Sequence, residues 1–208
     1  MNVFRKPFRY SFFNATAVLI AANLLCFFVL KLFPDLFVYL GLSHAGLKRH
    51  YYWQLFSYLF VHSGYSHVFF NMLALFFFGI PFERSVGSKE FLLFYIICGM
   101  VDGLFSTLVY DWLGMRSLLV GASGAVYALL FGYAVAFPRN VIYIWGIIPV
   151  AAPLLVLLYG IIEIASQITG SGGNIAHLAH LFGLAAAWLY FVIRFGVNPI
   201  NVWKNAWR

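Results

Sequence analysis

The sequence predicts an all-α polytopic membrane protein, a bundle of six transmembrane helices with a first loop embedded in the membrane. Three observations carry this. Of 208 residues, 63% are hydrophobic and 9% charged, where a soluble domain carries about 25% charged residues. Apolar runs of about 20 residues recur, each long enough for ~30 Å of hydrocarbon. The alternating segments of ~10 residues that mark a transmembrane β-barrel are not seen. No polar stretch suggests a separate soluble unit, so residues 1–208 read as one domain.

Residues 1–13 place Arg5, Lys6 and Arg9 among aromatics, an interfacial start. A first span follows at about 15–33 and ends at Pro34-Asp35. Residues 34–66 are neither polar nor a full span, and they hold the aromatic stretch Tyr51 to His62. Trp and Tyr favour the headgroup level, so short helices in or against the interface are expected here. A connection this long without a span is more often functional than idle. The second span is read at 67–81, the third at 91–110 and a short fourth at 123–137. An interfacial segment with Pro149 and Pro153 enters the fifth at 148–168. The turn 169–173, rich in glycine, leads to the sixth at 175–195 and a basic, aromatic tail.

Six spans put both ends of the chain on one side. Placing them in the cytoplasm assigns Arg5, Lys6, Arg9, Arg84, Lys89, Arg139, Arg194, Lys204 and Arg208 to the inside and Lys48, Arg49 and Arg116 to the outside, with Lys31 at the outer end of the first span. That is a clear positive-inside bias. The formal net charge of +7 is thereby explained by orientation signals, and no nucleic-acid partner is implied. Cys26 and Cys98 sit inside apolar runs and read as small core residues. The first run lacks a small-residue cleavage site, so no cleaved signal is expected.

The chemistry concentrates in two segments. Gly121-Ala122-Ser123-Gly124 puts a serine at a loop-to-helix boundary, and Gly124, Ala128 and Gly132 then recur every four residues. That spacing lines one face with small residues and admits a close neighbour. Packing is the commoner use of such a pattern, and Gly-x-Ser-Gly alone is a weak signal. The second segment holds His177 and His180 inside the sixth span, with Gly183 and Ala187 continuing the face of His180. Ionisable groups in a span are costly and usually functional. If the two faces meet, an imidazole reaches the hydroxyl as nucleophile activation requires. No acid lies near in sequence, which favours a serine–histidine dyad over a triad. His67 and Asn71, four apart at the start of the second span, are candidates to stabilise an oxyanion together with the Ser123 backbone N–H, or else are interhelical packing groups. Tyr127 stands one turn after Ser123 and either stacks on the imidazole or fills space. Asp102 and Glu163, well inside spans, are read as structural.

Taken together the residues resemble the rhomboid family of intramembrane serine proteases. The resemblance rests on Trp53 to His62, His67-x-x-x-Asn71, Glu83-Arg84 with Gly87-Ser88, Gly121-x-Ser123-Gly124 with Tyr127, and His180-x-x-Gly183, in family order over nearly the whole chain. It implies a serine endopeptidase that cleaves transmembrane segments of membrane proteins, with Ser123 as nucleophile and His180 as general base. His67, Asn71 and the Ser123 N–H would hold the oxyanion, and Tyr127 would pack on His180. Gly121, Gly124 and Gly183 would support the site, and Glu83-Arg84 would form a structural turn. Residues 34–66 would be the embedded loop, and the fifth span with the loop before the sixth would form a substrate gate. No cofactor or metal is implied. The partners would be substrates within the lipid bilayer, with the site opening to the outer side of a bacterial inner membrane. Two departures stand out: Ala187 where the family often has glycine, and the second histidine His177. Two rivals are weighed. One is an inactive rhomboid-like protein that binds membrane clients, which typically lacks the serine or the histidine. The other is a haem or metal protein using His62, His67, His177 and His180, which would want histidines in facing layers and lacks a His-Glu-x-x-His motif.

Overall fold

The computed structural model describes residues 6–144, 146–169 and 174–207, with side chains from 177 onward in the last stretch. Five helices are long and apolar enough to cross a membrane. They are α1 (Ala15–Leu32), α5 (Tyr65–Val86), α6 (Ser88–Trp112), α8 (Ala152–Thr169) and α9 (Asn174–Tyr190, continued as a π-helical turn over Phe191–Phe195). A sixth, α7 (Ser123–Ala136), has 14 residues and is ~21 Å long. The Phe8 N–H and the Arg194 guanidinium meet on the Glu90 carboxylate, so the start of the chain and the end of α9 share one end of the bundle. That requires an even number of passes, which the five long helices supply only with α7 as the sixth.

The short helix is the core. Its residues from Gly124 to Val135 are buried apart from Tyr127, and the sequence there has no polar face to offer. A helix apolar all round belongs inside other helices. Gly183 and Gly124 set its contact with α9: a Cβ on Gly183 would fall on the Gly124 carbonyl oxygen and 3.2 Å from its Cα. A Cβ on Gly124 would fall on the Asp102 carboxyl group of α6. The small-residue face therefore serves two neighbours at once. Ala187 is fully buried, so the family's extra glycine is not needed for the close approach at Gly183.

The long first loop contains three short helices, α2 (Leu36–Leu40), α3 (His44–Lys48) and α4 (Gln54–Ser57), the last running into a 3-10 turn over Tyr58–Phe60. Several of its polar groups bind its own backbone. The Gln54 amide donates to the Tyr39 carbonyl (3.1 Å), Ser57 Oγ to that of Leu40 (2.7 Å), and Trp53 Nε1 to that of Tyr39 (3.1 Å). Irregular backbone is tolerated at membrane depth when it is satisfied in this way. Tyr58 and Leu59 then anchor the loop on α6, above Gly103 and Gly99, where added methyls would come within 2.7 Å of them.

Three boundaries differ from the sequence reading. The second span is longer, because α5 passes through a π-helical turn at Leu75–Gly79 and continues to Val86. Residues 148–151, expected to open the fifth span, form strand β2 (Ile148–Ala151) of a hairpin with β1 (Val141–Ile144). The Ala152 N–H closes it on the Asn140 carbonyl (2.9 Å). The tail folds into an amphipathic α10 (Pro199–Ala206), pinned by Trp203 Nε1 donating to the Ala134 carbonyl (3.0 Å). The turn read at 169–173 lies, apart from Thr169, outside the described residues.

Candidate active site

Ser123 is the first residue of α7, and Gly121 makes the turn into it. Gly121 has φ +110, which side chains rarely adopt, and a Cβ there would stand 2.5 Å from His67 Nε2. Glycine is thus required twice, by the backbone and by the imidazole. A cavity of about 490 Å³ opens beside Ser123, and Asn71, Tyr127 and His180 line it with Ser123. Its apolar walls come from Phe70 and Phe77 of α5, Leu155 and Tyr159 of α8, and Ile142 and Ile144 of the hairpin. Four of the sequence-predicted residues are therefore brought into one cavity.

His180 is held on two sides. Its ring lies parallel to Tyr127, centroids 4.2 Å apart and planes 7° apart. Its Nδ1 lies 2.9 Å from Glu163 Oε1. His177 turns its own Nδ1 to Glu163 Oε2 at 2.5 Å, and the Tyr127 hydroxyl donates to Glu163 Oε1. Glu163 is the residue that sequence reasoning passed over as structural. It stands more than ten positions before either histidine, so no local motif joins them. The available signal was a carboxylate in a lipid-facing helix, which must find a partner inside the bundle. Among the described residues of the next span, these two histidines are the ionisable side chains it reaches.

The two imidazoles and the carboxylate bring potential metal-ligand atoms within 4.8 Å of one another. Ligands on a tetrahedral zinc stand ~3.3 Å apart, from bonds of ~2.0–2.1 Å. The separations of 2.5 and 2.9 Å seen here are hydrogen-bonding distances.

His67 sits at the rim against Gly121, with its Nδ1 3.0 Å from Ser63 Oγ. It does not line the cavity. The Asn71 amide uses one N–H on the His67 carbonyl (2.8 Å), and its second has no partner among the described residues. His62 lies edge-on to His67, centroids 5.0 Å apart. Burial, with the His67 ring beside it, pushes the His62 imidazole down to about 4.

A serine at the mouth of a buried helix, with a stacked and carboxylate-bound histidine in the same cavity, sits here among helices of membrane length. That makes the chain a polytopic membrane protein of helical-bundle type. It belongs to the rhomboid family: the family model described as Rhomboid domain matches residues 49–197. It is 34% identical over 151 residues to RHOMBOID-like protein 1 of Arabidopsis thaliana, covering 71% of this chain and 36% of that protein. It is 29% identical over 150 residues to the putative rhomboid protease YdcA of Bacillus subtilis (strain 168), covering 70% and 69%. Over 178 residues it is 29% identical to the rhomboid protease GlpG of Enterobacter sp. (strain 638), covering 82% and 59%. The chain thus spans about a third of the first relative and more than half of the other two. Two of these relatives carry the name rhomboid protease.

Proposed function

We propose that this chain is an active intramembrane serine endopeptidase that cleaves transmembrane segments. The observation that carries the reading is the cavity shared by Ser123 and His180, with the ring fixed by Tyr127. A substrate segment enters from the bilayer and unwinds locally, because helical peptide bonds are shielded by their own hydrogen bonds. Ser123 Oγ attacks the carbonyl carbon while His180 takes the hydroxyl proton, and the imidazolium returns it to the leaving amine. Water then hydrolyses the acyl-enzyme by the same route. The Ser123 N–H, the spare Asn71 N–H and His67 stabilise the oxyanion. The gap between α5 and α8, lined by Phe77 and Tyr159, serves as the lateral entrance. Residues 1–208 act as one domain in a bacterial inner membrane, with both termini cytoplasmic and the site opening outward.

The test is cleavage of a single-span reporter in liposomes. Ser123→Ala and His180→Ala abolish it, and His177→Ala keeps measurable activity. Cleavage that survives Ser123→Ala sinks the proposal. A wild type that folds and binds reporters but cuts none places the chain among the client-binding relatives.

A further inference from the structure

Building on the reading of Ser123 and His180 as the catalytic pair, we infer that Glu163 is a positioning residue that selects the working tautomer of His180, so that the site operates as a carboxylate–histidine–serine triad. The α8 residues Ile161, Ile162 and Ile164 around Glu163 face outward, while Glu163 is 4% exposed. A carboxylate on such a helix is costly in hydrocarbon unless it is bonded. Here both oxygens are occupied: Oε1 by the Tyr127 hydroxyl and His180 Nδ1, Oε2 by His177 Nδ1.

An ionised carboxylate only accepts hydrogen bonds, so the ring nitrogen facing it carries the proton. The hydrogen-bond network therefore assigns His180 the Nδ1–H form. In the neutral ring Nε2 then bears a lone pair and no hydrogen, which is the state a base toward Ser123 requires. Stacking on Tyr127 fixes the plane of the ring, and the Glu163 bond fixes its rotation within that plane. Tyr127 is itself held by Glu163, so both constraints meet in one carboxylate. His177 on the second oxygen keeps the carboxylate from turning away. When His180 receives the Ser123 proton at Nε2, the Nδ1 proton stays in place and Glu163 becomes the counter-ion of the imidazolium. No further acid or base is needed for the proton count to close.

The test compares wild type, Glu163→Gln, His180→Gln and Ser123→Ala, each full-length in detergent and checked for an intact melting transition. The amide introduced by Glu163→Gln can present an N–H to the ring, which demands the opposite tautomer. The expected result for Glu163→Gln is a kcat lower by about 10²–10⁴-fold, with KM within about threefold and Ser123 labelling by an alkyl fluorophosphonate slowed in parallel. In ¹⁵N spectra of histidine-labelled protein, the Nδ1–H signal that disappears in His180→Gln is present in the wild type and displaced in Glu163→Gln. Wild-type kcat in Glu163→Gln, a loss confined to KM, or an unmoved tautomer signal overturns the inference. If the amide variant does not fold, Glu163→Asp withdraws the charge by one methylene. A fall in kcat of ~10-fold or more is then expected, and an unchanged kcat overturns the role. Cleavage or labelling that persists in Ser123→Ala removes the catalytic pair instead, and the tautomer signal still decides Glu163 by itself.

Discussion

His62 and His180 are held by different kinds of contact. His180 leans on a carboxylate, whereas His62 has a buried Nε2 with no partner among the described residues and only a 3.4 Å contact from Nδ1 to the Phe60 carbonyl. The His62 imidazole is pushed from 6.5 down to about 4, so the folded state binds its proton less readily than the unfolded chain. Its contribution to stability is complete above about pH 6.5 and is lost as the pH falls toward about 4. Between those limits wild type should lose up to about 3 kcal/mol from this residue, and His62→Gln should lose less. Melting in detergent across that pH range reads the difference. At Gly183 the limit is steric. Gly183→Ala sets a methyl against the Gly124 backbone, and should lower stability by about 1–3 kcal/mol and abolish reporter cleavage. A melt and a cleavage assay check both. That Ser123, His180 and Gly183 come together was legible in the sequence because an ionisable histidine in a span is rare and small residues at helical spacing name a close-packed face. Glu163 was not, because its partners are set by the rotation of α8 about its axis, which an apolar sequence does not specify.

At the scale of elements, the buried Glu83 shows how one helix starts another. Its carboxylate accepts from the Ala15 N–H (2.6 Å), the Thr16 N–H (2.8 Å) and Thr16 Oγ1 (2.7 Å), and from the Ser88 hydroxyl. It thus caps the N-terminus of α1, where the free N–H groups and the helix dipole favour an anion, from the far end of α5. Glu83→Gln keeps the size but turns one acceptor into a donor facing donors. We expect it to destabilise the protein by about 2–4 kcal/mol, read as a lowered Tm, with the Ser123 site still competent to label. The resemblance marked Glu83 as structural but could not say what it held, since Ala15 and Thr16 lie 68 and 67 residues before it. The hairpin was hidden for a different reason. Pro149 and Pro153 in an apolar run fit an interfacial coil as well as they fit an edge strand.

Across the whole molecule, one end gathers Glu90, Arg194 and the Phe8 backbone, with Arg139 bonded to the Ala206 carbonyl. The other carries the bridge between Leu42 and Leu119 and the His44–Asp111 pair (3.3 Å). The proposed orientation puts the first end in the cytoplasm. A membrane-impermeant maleimide should then label Lys48→Cys and Arg116→Cys in intact spheroplasts, and Arg139→Cys only after lysis. The reverse pattern inverts the topology. Helices of membrane length could be read from the sequence, because hydrocarbon thickness acts on composition. The π-helical turn at Leu75–Gly79 could not, yet it joins these scales. Such a turn is an α-helix carrying one residue too many. It lets Asn71 face the cavity on one side of it and Glu83 face α1 on the other. Remove a single residue between them and the helix would close up neatly, but its two halves would fall about 100° out of phase. The chain could then keep the Asn71 amide in the cavity or the Glu83 cap on α1, not both, so this stretch should tolerate substitution far more readily than any change of length.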